Sequence, residues 1–317
     1  MMRLFKIRTA IILVLFLGFH NNLNSQIKNQ IIAKIGNEIL TSYDVENKIK
    51  TNLFLAGEEI NQGNIDKIKE LTLQSLINLK LKINEIKKYN LTPNQEAVNQ
   101  YMNSISNNLN LSLIELANQF GANGISYDQL IKDIETEFLW KNLVAKTYLD
   151  KIKIDENLIN TELNKILAKE KNDRTINNFN LSEIEIILDK PNQEENLINK
   201  INKSIKDIGF KKTAIKFSNS STALSGGDLG WINSNQLSPR IYRLVQDLEI
   251  GDVSRPLKQG SSLLFLKIND KQSTKSQKID VEKLRISLEN VKKNELLNLY
   301  SNSHLSKIKN ITLIEFL

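Results

Sequence analysis

The chain has 317 residues, with 43 Lys and Arg against 36 Asp and Glu, a formal charge of +7, and no cysteine. The missing cysteines exclude a disulfide framework, a thiolate metal site and a lipid-modified amino-terminal Cys. The basic excess is mild and interleaved with acidic residues, so it does not point to nucleic acid.

The amino terminus carries Arg3, Lys6 and Arg8, then an apolar run over residues 9–19 and a polar stretch over residues 20–25. A basic start, a short apolar run and a small residue at a polar boundary predict a secretory signal peptide over residues 1–25, cut near Ser25. The alternative is an uncleaved membrane anchor, although the run is short for a span. No later segment approaches a membrane span. Export without cysteine suits a bacterial envelope protein, and the expected compartment is the periplasm. Removing the three basic residues and no acid leaves the mature chain near +4. Its length predicts two modules.

In chain order, Gln30 to Ile35 reads as a strand, Gly36-Asn37 as a turn and Glu38-Ile39-Leu40 as a returning strand. Thr41 or Ser42 can cap the next helix, with Asp44 in its first turn. A longer helix follows Gly63-Asn64, with Ile65, Ile68, Leu76, Leu79, Ile83 and Ile86 at three/four spacing. Thr92-Pro93 predicts a cap followed by Pro at the first helical position. Ser112 with Glu115, and Ser126 with Gln129, are capping-box patterns, separated by Gly121 and Gly124. The second of these helices runs through Ile134, Phe138 and Trp140 to about Lys151, and Asp155 begins one more. Residues 26–170 are therefore a hairpin plus amphipathic helices. Their wide apolar stripes serve a core, with or without a client groove.

From about residue 174 the pattern changes. Glu183 to Leu188 alternates partly like a strand, Pro191-Asn192 is a turn, and Leu197, Ile201, Ile205 and Ile208 mark a helical face stopped by Gly209. Then come Phe210-x-x-x-Ala214-x-x-Phe217-Ser218, Gly226-Gly227-Asp228-Leu229-Gly230-Trp231, Leu248-x-x-Gly251-Asp252-x-Ser254-x-Pro256, and a strand from Leu263 to Asp270. The glycines allow backbone conformations that a side chain opposes, and shape a scaffold without doing chemistry.

In order and spacing this set resembles the parvulin-type prolyl isomerase domain, over residues 174–272. The flanks extend the likeness: an exported chain with a hairpin–helix module, one parvulin-like domain and a C-terminal helix and strand is similar to the SurA family of outer-membrane-protein chaperones. Better-known members have two parvulin domains; this chain has room for one. The resemblance implies that the C-terminal segment, residues 273–317, packs back on the N-terminal module. That segment contains a helix through Val281, Leu284, Leu288 and Val291 and a strand over residues 311–316. The expected fold class is α+β.

The resemblance also implies a pair of histidines across the sheet beneath a proline pocket. Glu183 and Leu264 stand at those positions. The chain has two histidines. His20 lies in the signal segment; His304, on the C-terminal helix among Asn302, Ser303 and Ser306, is expected to face solvent. With a single mature histidine, itself expected to face solvent, neither a Ser-His triad nor a His-based zinc site is expected, nor any metal or other cofactor. The family's polar pair before the glycines falls near Asn219 and Ser220, and Ser254 retains the family residue in the late turn. Leu237 fits the pocket's usual Met or Leu, Ile241 takes the place of a pocket aromatic beside Tyr242, and Trp231 offers an apolar body. Together these four are the expected peptide-binding residues. Glu183 and Glu185 are expected to face solvent or Lys and Arg.

The resulting expectation is an ATP-independent periplasmic chaperone that binds unfolded outer-membrane proteins or other extended polypeptides, neither inserts stably in the membrane nor binds nucleic acid, and has weak or absent isomerase activity. An active prolyl isomerase and a non-catalytic envelope adaptor are the alternatives.

Overall fold

The computed structural model describes residues 29–172, 175–188, 194–275 and 280–317. The expected signal segment, residues 1–25, and the expected turn at Pro191-Asn192 lie outside the described residues.

Strands β1 (Ile31–Ile35) and β2 (Glu38–Thr41) form the expected hairpin, turning at Gly36 with φ +56°. Thr41 caps helix α1 (Ser42–Leu55) through a full capping box with Asp44. Helix α2 (Gln62–Ile86) begins before Gly63, because the Asn61 side chain takes the Asn64 N–H and draws Gly63 and Asn64 into the first turn. Helix α3 (Gln95–Asn108) begins later than Thr92-Pro93 suggests. Its cap is Asn94, whose side chain takes the Ala97 N–H, and Pro93 disfavours helical backbone at Thr92.

The Ser112–Glu115 box opens helix α4 (Leu113–Ala122) in full. At helix α5 (Tyr127–Tyr148) only half the second box forms: Ser126 Oγ takes the Gln129 N–H, while the Ser126 N–H goes to Asn47 and the Gln129 amide to Asp133. A short 3-10 turn at residues 149–151 leads to helix α6 (Glu156–Asn172).

Strand β3 (Thr175–Ile187) opens a second sheet. Helices α7 (Glu194–Ile208) and α8 (Phe210–Phe217), strand β4 (Asp228–Asn233), helix α9 (Pro239–Val245) and strands β5 (Leu257–Gln259) and β6 (Ser262–Lys275) complete the unit. All pairings are antiparallel, in the order β4-β3-β6-β5. Alternation divides the sheet. Ile184, Ile186, Leu263 and Phe265 pack with Phe210 and Phe217 of α8, whereas Leu181, Leu264 and Leu266 cluster with Leu237 and Val245.

The chain then returns. Helix α10 (Val281–Ile311) packs on α2, α5 and α6, and strand β7 (Ile314–Phe316) pairs antiparallel with β1, Lys34 opposite Glu315. The strand starts three residues later than residue 311, because α10 continues through Ile311 and is closed by Thr312 bonding back to the Ile308 carbonyl. Leu284 and Leu288 are buried against Ile159 and Leu163 of α6, and Leu305 and Ile308 join Ile35 and Leu40 in the main core. The fold is α+β, mainly helical, with two small sheets. Among the described residues no helix is long and apolar enough to cross a membrane.

Candidate functional site

A groove of about 800 Å³ runs between the β3–β6 sheet face and helices α6 and α10. From the sheet side come Leu264 and Leu266; the segment after β4 supplies Leu237 and Ile241; Leu158 and Leu299 face them from the two helices. Leu237 and Leu264 are almost fully buried, while Leu158 and Leu299 are 59% and 44% exposed. A wall of packed apolar side chains therefore meets a rim of accessible ones, which suits the side chains of an extended polypeptide. Rim charges of both signs, including Lys153, Glu162, Arg240 and Lys292, give no single electrostatic preference.

Glu183 lies on the groove floor. Ser220 Oγ and Thr222 Oγ1 both donate to its Oε1, the second at 2.9 Å. Burial pushes the Glu183 carboxyl upward and Glu185 adds to this, while the two hydroxyls and Lys141 pull against it. The backbone makes this approach possible at Gly227. With φ +79° there, the Glu183 N–H donates to the Gly227 carbonyl at 2.8 Å, and a Cβ at Gly227 would overlap the Glu183 carbonyl oxygen. The expectation that both strand glutamates meet solvent or basic side chains is therefore corrected. Hydroxyls hold Glu183, and Glu185 accepts from Asn302 of α10 at 3.3 Å. The register on β3 and β6 places Glu183 opposite Leu266 and Glu185 opposite Leu264.

The other expected site residues divide. Leu237, Ile241, Leu264 and Glu183 come together in the groove. Tyr242 packs its ring edge-on to Phe179, centroids 6.3 Å apart, and supports the wall without lining it. Ser254 is buried and structural: its Oγ takes the Leu266 N–H at 3.0 Å and its own N–H goes to the Leu266 carbonyl. Trp231 does not line the groove. It pairs with Asn180 and so faces away from the paired Phe179 and Ile232, remaining 49% exposed.

His304 overturns the solvent-facing expectation. It shares a 2.7 Å hydrogen bond with the Tyr148 hydroxyl, stands edge-on to Trp140 at 5.4 Å and lies 3.5 Å from Glu85. Nearby, Tyr148 stacks on Tyr300 and the Trp140 indole donates to Ser301. Helix-position reasoning missed this because the partners come from α2 and α5, distant in sequence. The signal available in the sequence was the aromatic pair Trp140 and Tyr148, two turns apart on one helix.

Residues 181–270 match the PPIC-type PPIASE domain family, and residues 2–144 match the SurA-like N-terminal domain family. The chain is similar to Chaperone SurA of Idiomarina loihiensis, with 23% identity over 294 residues, 87% of this chain and 66% of that one. It is 26% identical to Chaperone SurA of Hahella chejuensis over 206 residues, 63% of this chain and 46% of that one. The chain thus spans between about half and two thirds of the length of these curated relatives. A solved structure from Campylobacter jejuni, described with its companion as SurA-like chaperones, aligns at a TM-score of 0.34 and 18% identity, over 91% of this chain and 99% of that one.

Proposed function

The chain is a SurA-like protein carrying one PPIC-type domain, and on that premise we propose that it is an ATP-independent periplasmic chaperone for unfolded outer-membrane proteins. The groove carries this reading: apolar side chains from the parvulin-like sheet and from α6 and α10 converge on one channel of about 800 Å³. An extended client lies in that channel with alternate side chains against Leu237, Ile241, Leu158 and Leu299. Holding the unfolded form lowers its free concentration by mass action and slows aggregation. The units divide near residues 170–174 and 272–273, and an export signal precedes residue 26.

The parvulin-like domain binds peptide in this scheme but isomerises prolyl bonds weakly or not at all. Rotating an X–Pro bond needs a dry pocket and polar groups that favour the twisted amide over a barrier of about 18–20 kcal/mol. Leu264 offers no polar atom at one of the two histidine positions. At the other, one Glu183 oxygen is already engaged by two hydroxyls. The same cluster supports the alternative reading, an active isomerase, because a protonated Glu183 is a hydrogen-bond donor at the groove floor. A proline-limited refolding assay with the whole protein, run beside an aggregation assay on an unfolded outer-membrane protein, separates the two. Suppressed aggregation without accelerated refolding supports the holdase. Acceleration that collapses in Glu183→Gln or Leu237→Ala supports the isomerase.

A further inference from the structure

The groove carries charges on its floor as well as on its rim, and the two sets differ. On the rim, Glu162 lies 3.8 Å from Lys165 and Glu295 lies 3.1 Å from Lys292. Asp155 accepts the Asn157 N–H, while Arg240 and Arg243 donate to the carbonyls of Lys258 and Pro239. These rim charges therefore already have partners within the protein. On the floor, Glu183 and Glu185 stand two residues apart on β3, so their side chains share the groove face with backbones about 6–7 Å apart. Their only side-chain partners among the described residues are neutral: the hydroxyls of Ser220 and Thr222, and the amide of Asn302. Lys141 acts on Glu183 only from a distance, since its amine donates to Ser221 and it does not line the groove.

One oxygen of each carboxylate, Oε2, has no hydrogen bond among the described residues. Both atoms stay open to solvent, because neither is among the fully buried unpaired oxygens. Each carboxylate disfavours charge on the other, and partial burial adds to the cost. A cation brought between them turns both interactions favourable.

The walls decide what kind of cation fits. Leu237, Ile241 and Leu264 line the same channel as the two glutamates. An aliphatic stem packs on such a wall while its charged head reaches polar groups, which is how lysine and arginine side chains settle on apolar surfaces. We propose, on the reading of the groove as the client channel, that it selects a basic side chain set between apolar neighbours in an extended client, and that Glu183 and Glu185 are the residues that select it. Where the family resemblance implies two histidines beneath a proline, this floor presents carboxylates and takes a cation instead.

Calorimetric titration of the whole protein at about pH 8, above the ordinary carboxyl range, tests this. The probes are two blocked peptides, acetyl-Leu-Ser-Lys-Ser-Leu amide and the same peptide with norleucine in place of lysine. The lysine peptide is expected to bind about tenfold tighter than its norleucine counterpart, the scale of one charge-assisted contact. In the Glu183→Gln, Glu185→Gln double variant the ratio of the two affinities is expected to fall to about one, and each single variant is expected to lower it in part. Equal affinity of both peptides for the parent would overturn the proposal and leave the groove as an unselective apolar channel. A lysine preference that persists undiminished in the folded double variant would overturn it too, because the cation then sits against the rim. Saturable binding of neither peptide would overturn this proposal together with the reading of the groove on which it rests.

Discussion

The Ser220 hydroxyl donates to the Glu183 carboxylate, joining the loop after α8 to the central strand of the parvulin-like sheet across 37 residues of sequence. Thr222 donates to the same oxygen. The carboxyl sits where burial and the neighbouring Glu185 disfavour its charge, with Lys141 and the hydroxyls only partly offsetting them.

A pH dependence follows. For a carboxyl whose folded pKa lies above its unfolded one, the folded state holds the proton more tightly. The resulting stability is fully present below the ordinary glutamate range, and is lost as pH rises through the raised folded value. Glu183→Gln keeps an acceptor oxygen for the two hydroxyls and removes the charge. In acid its stability is expected to stay within about 1 kcal/mol of the parent, the scale of one hydrogen bond. Above that window the variant should be the more stable of the two. Denaturant melts between pH 4 and pH 9, a range chosen to bracket the ordinary carboxyl value of about 4.3, check this. Parallel pH profiles for the two proteins would contradict it.

The carboxyl-terminal segment belongs to the amino-terminal core. Strand β7 supplies the β1 edge with its hydrogen bonds, and Leu305 and Ile308 are buried with Ile35 and Leu40. Deleting residues 280–317 is expected to abolish the cooperative unfolding of the helical module. Leu305→Ala alone should cost about 2–5 kcal/mol. Circular dichroism and denaturant titration report both; a truncated chain that melts like the parent would show that the two ends fold separately.

His304 ties α10 to α5. Its bond to Tyr148 and its edge contact with Trp140 are both lost in His304→Ala. A destabilisation of about 1–3 kcal/mol is expected, from one buried hydrogen bond and the adjacent cavity. The Trp140 fluorescence should change with it. Unchanged stability and emission would mean that the histidine is a passive occupant of the helix interface.

Local signals carried far along this chain, and failed where partners come from elsewhere. The Ser112–Glu115 box and the cap at Thr41 or Ser42 were readable because a cap and its partners lie within four residues, and the structure resolves the second choice in favour of Thr41. Asn61 and Asn94 were missed as caps because asparagine is frequent throughout, so its local meaning is diluted beside Gly63 or Pro93. The glycine-rich segment was legible as a scaffold, and Gly226, Gly227 and Gly230 all adopt positive φ. Of the four expected peptide-binding residues, Leu237 and Ile241 line the groove, joined there by Leu264 from an expected histidine position; Tyr242 backs the wall, and Trp231 faces elsewhere because register with Asn180, not proximity in sequence, decides its face. The contributions of Leu158 and Leu299 depend on how α6 and α10 cross the sheet, which no local pattern encodes.

The central claim is that the groove holds extended clients. Its most direct measurement is aggregation of a denatured outer-membrane protein, followed by light scattering after dilution into buffer with the parent protein or with the Leu158→Asp, Leu299→Asp double variant. Both positions are exposed, so charge there should leave stability within about 0.5 kcal/mol, the usual range for surface substitutions. The parent is expected to suppress aggregation at near-stoichiometric ratios, and the folded double variant to lose most of that effect. Full suppression by the double variant, or none by the parent, would contradict the assignment of the groove as the client site.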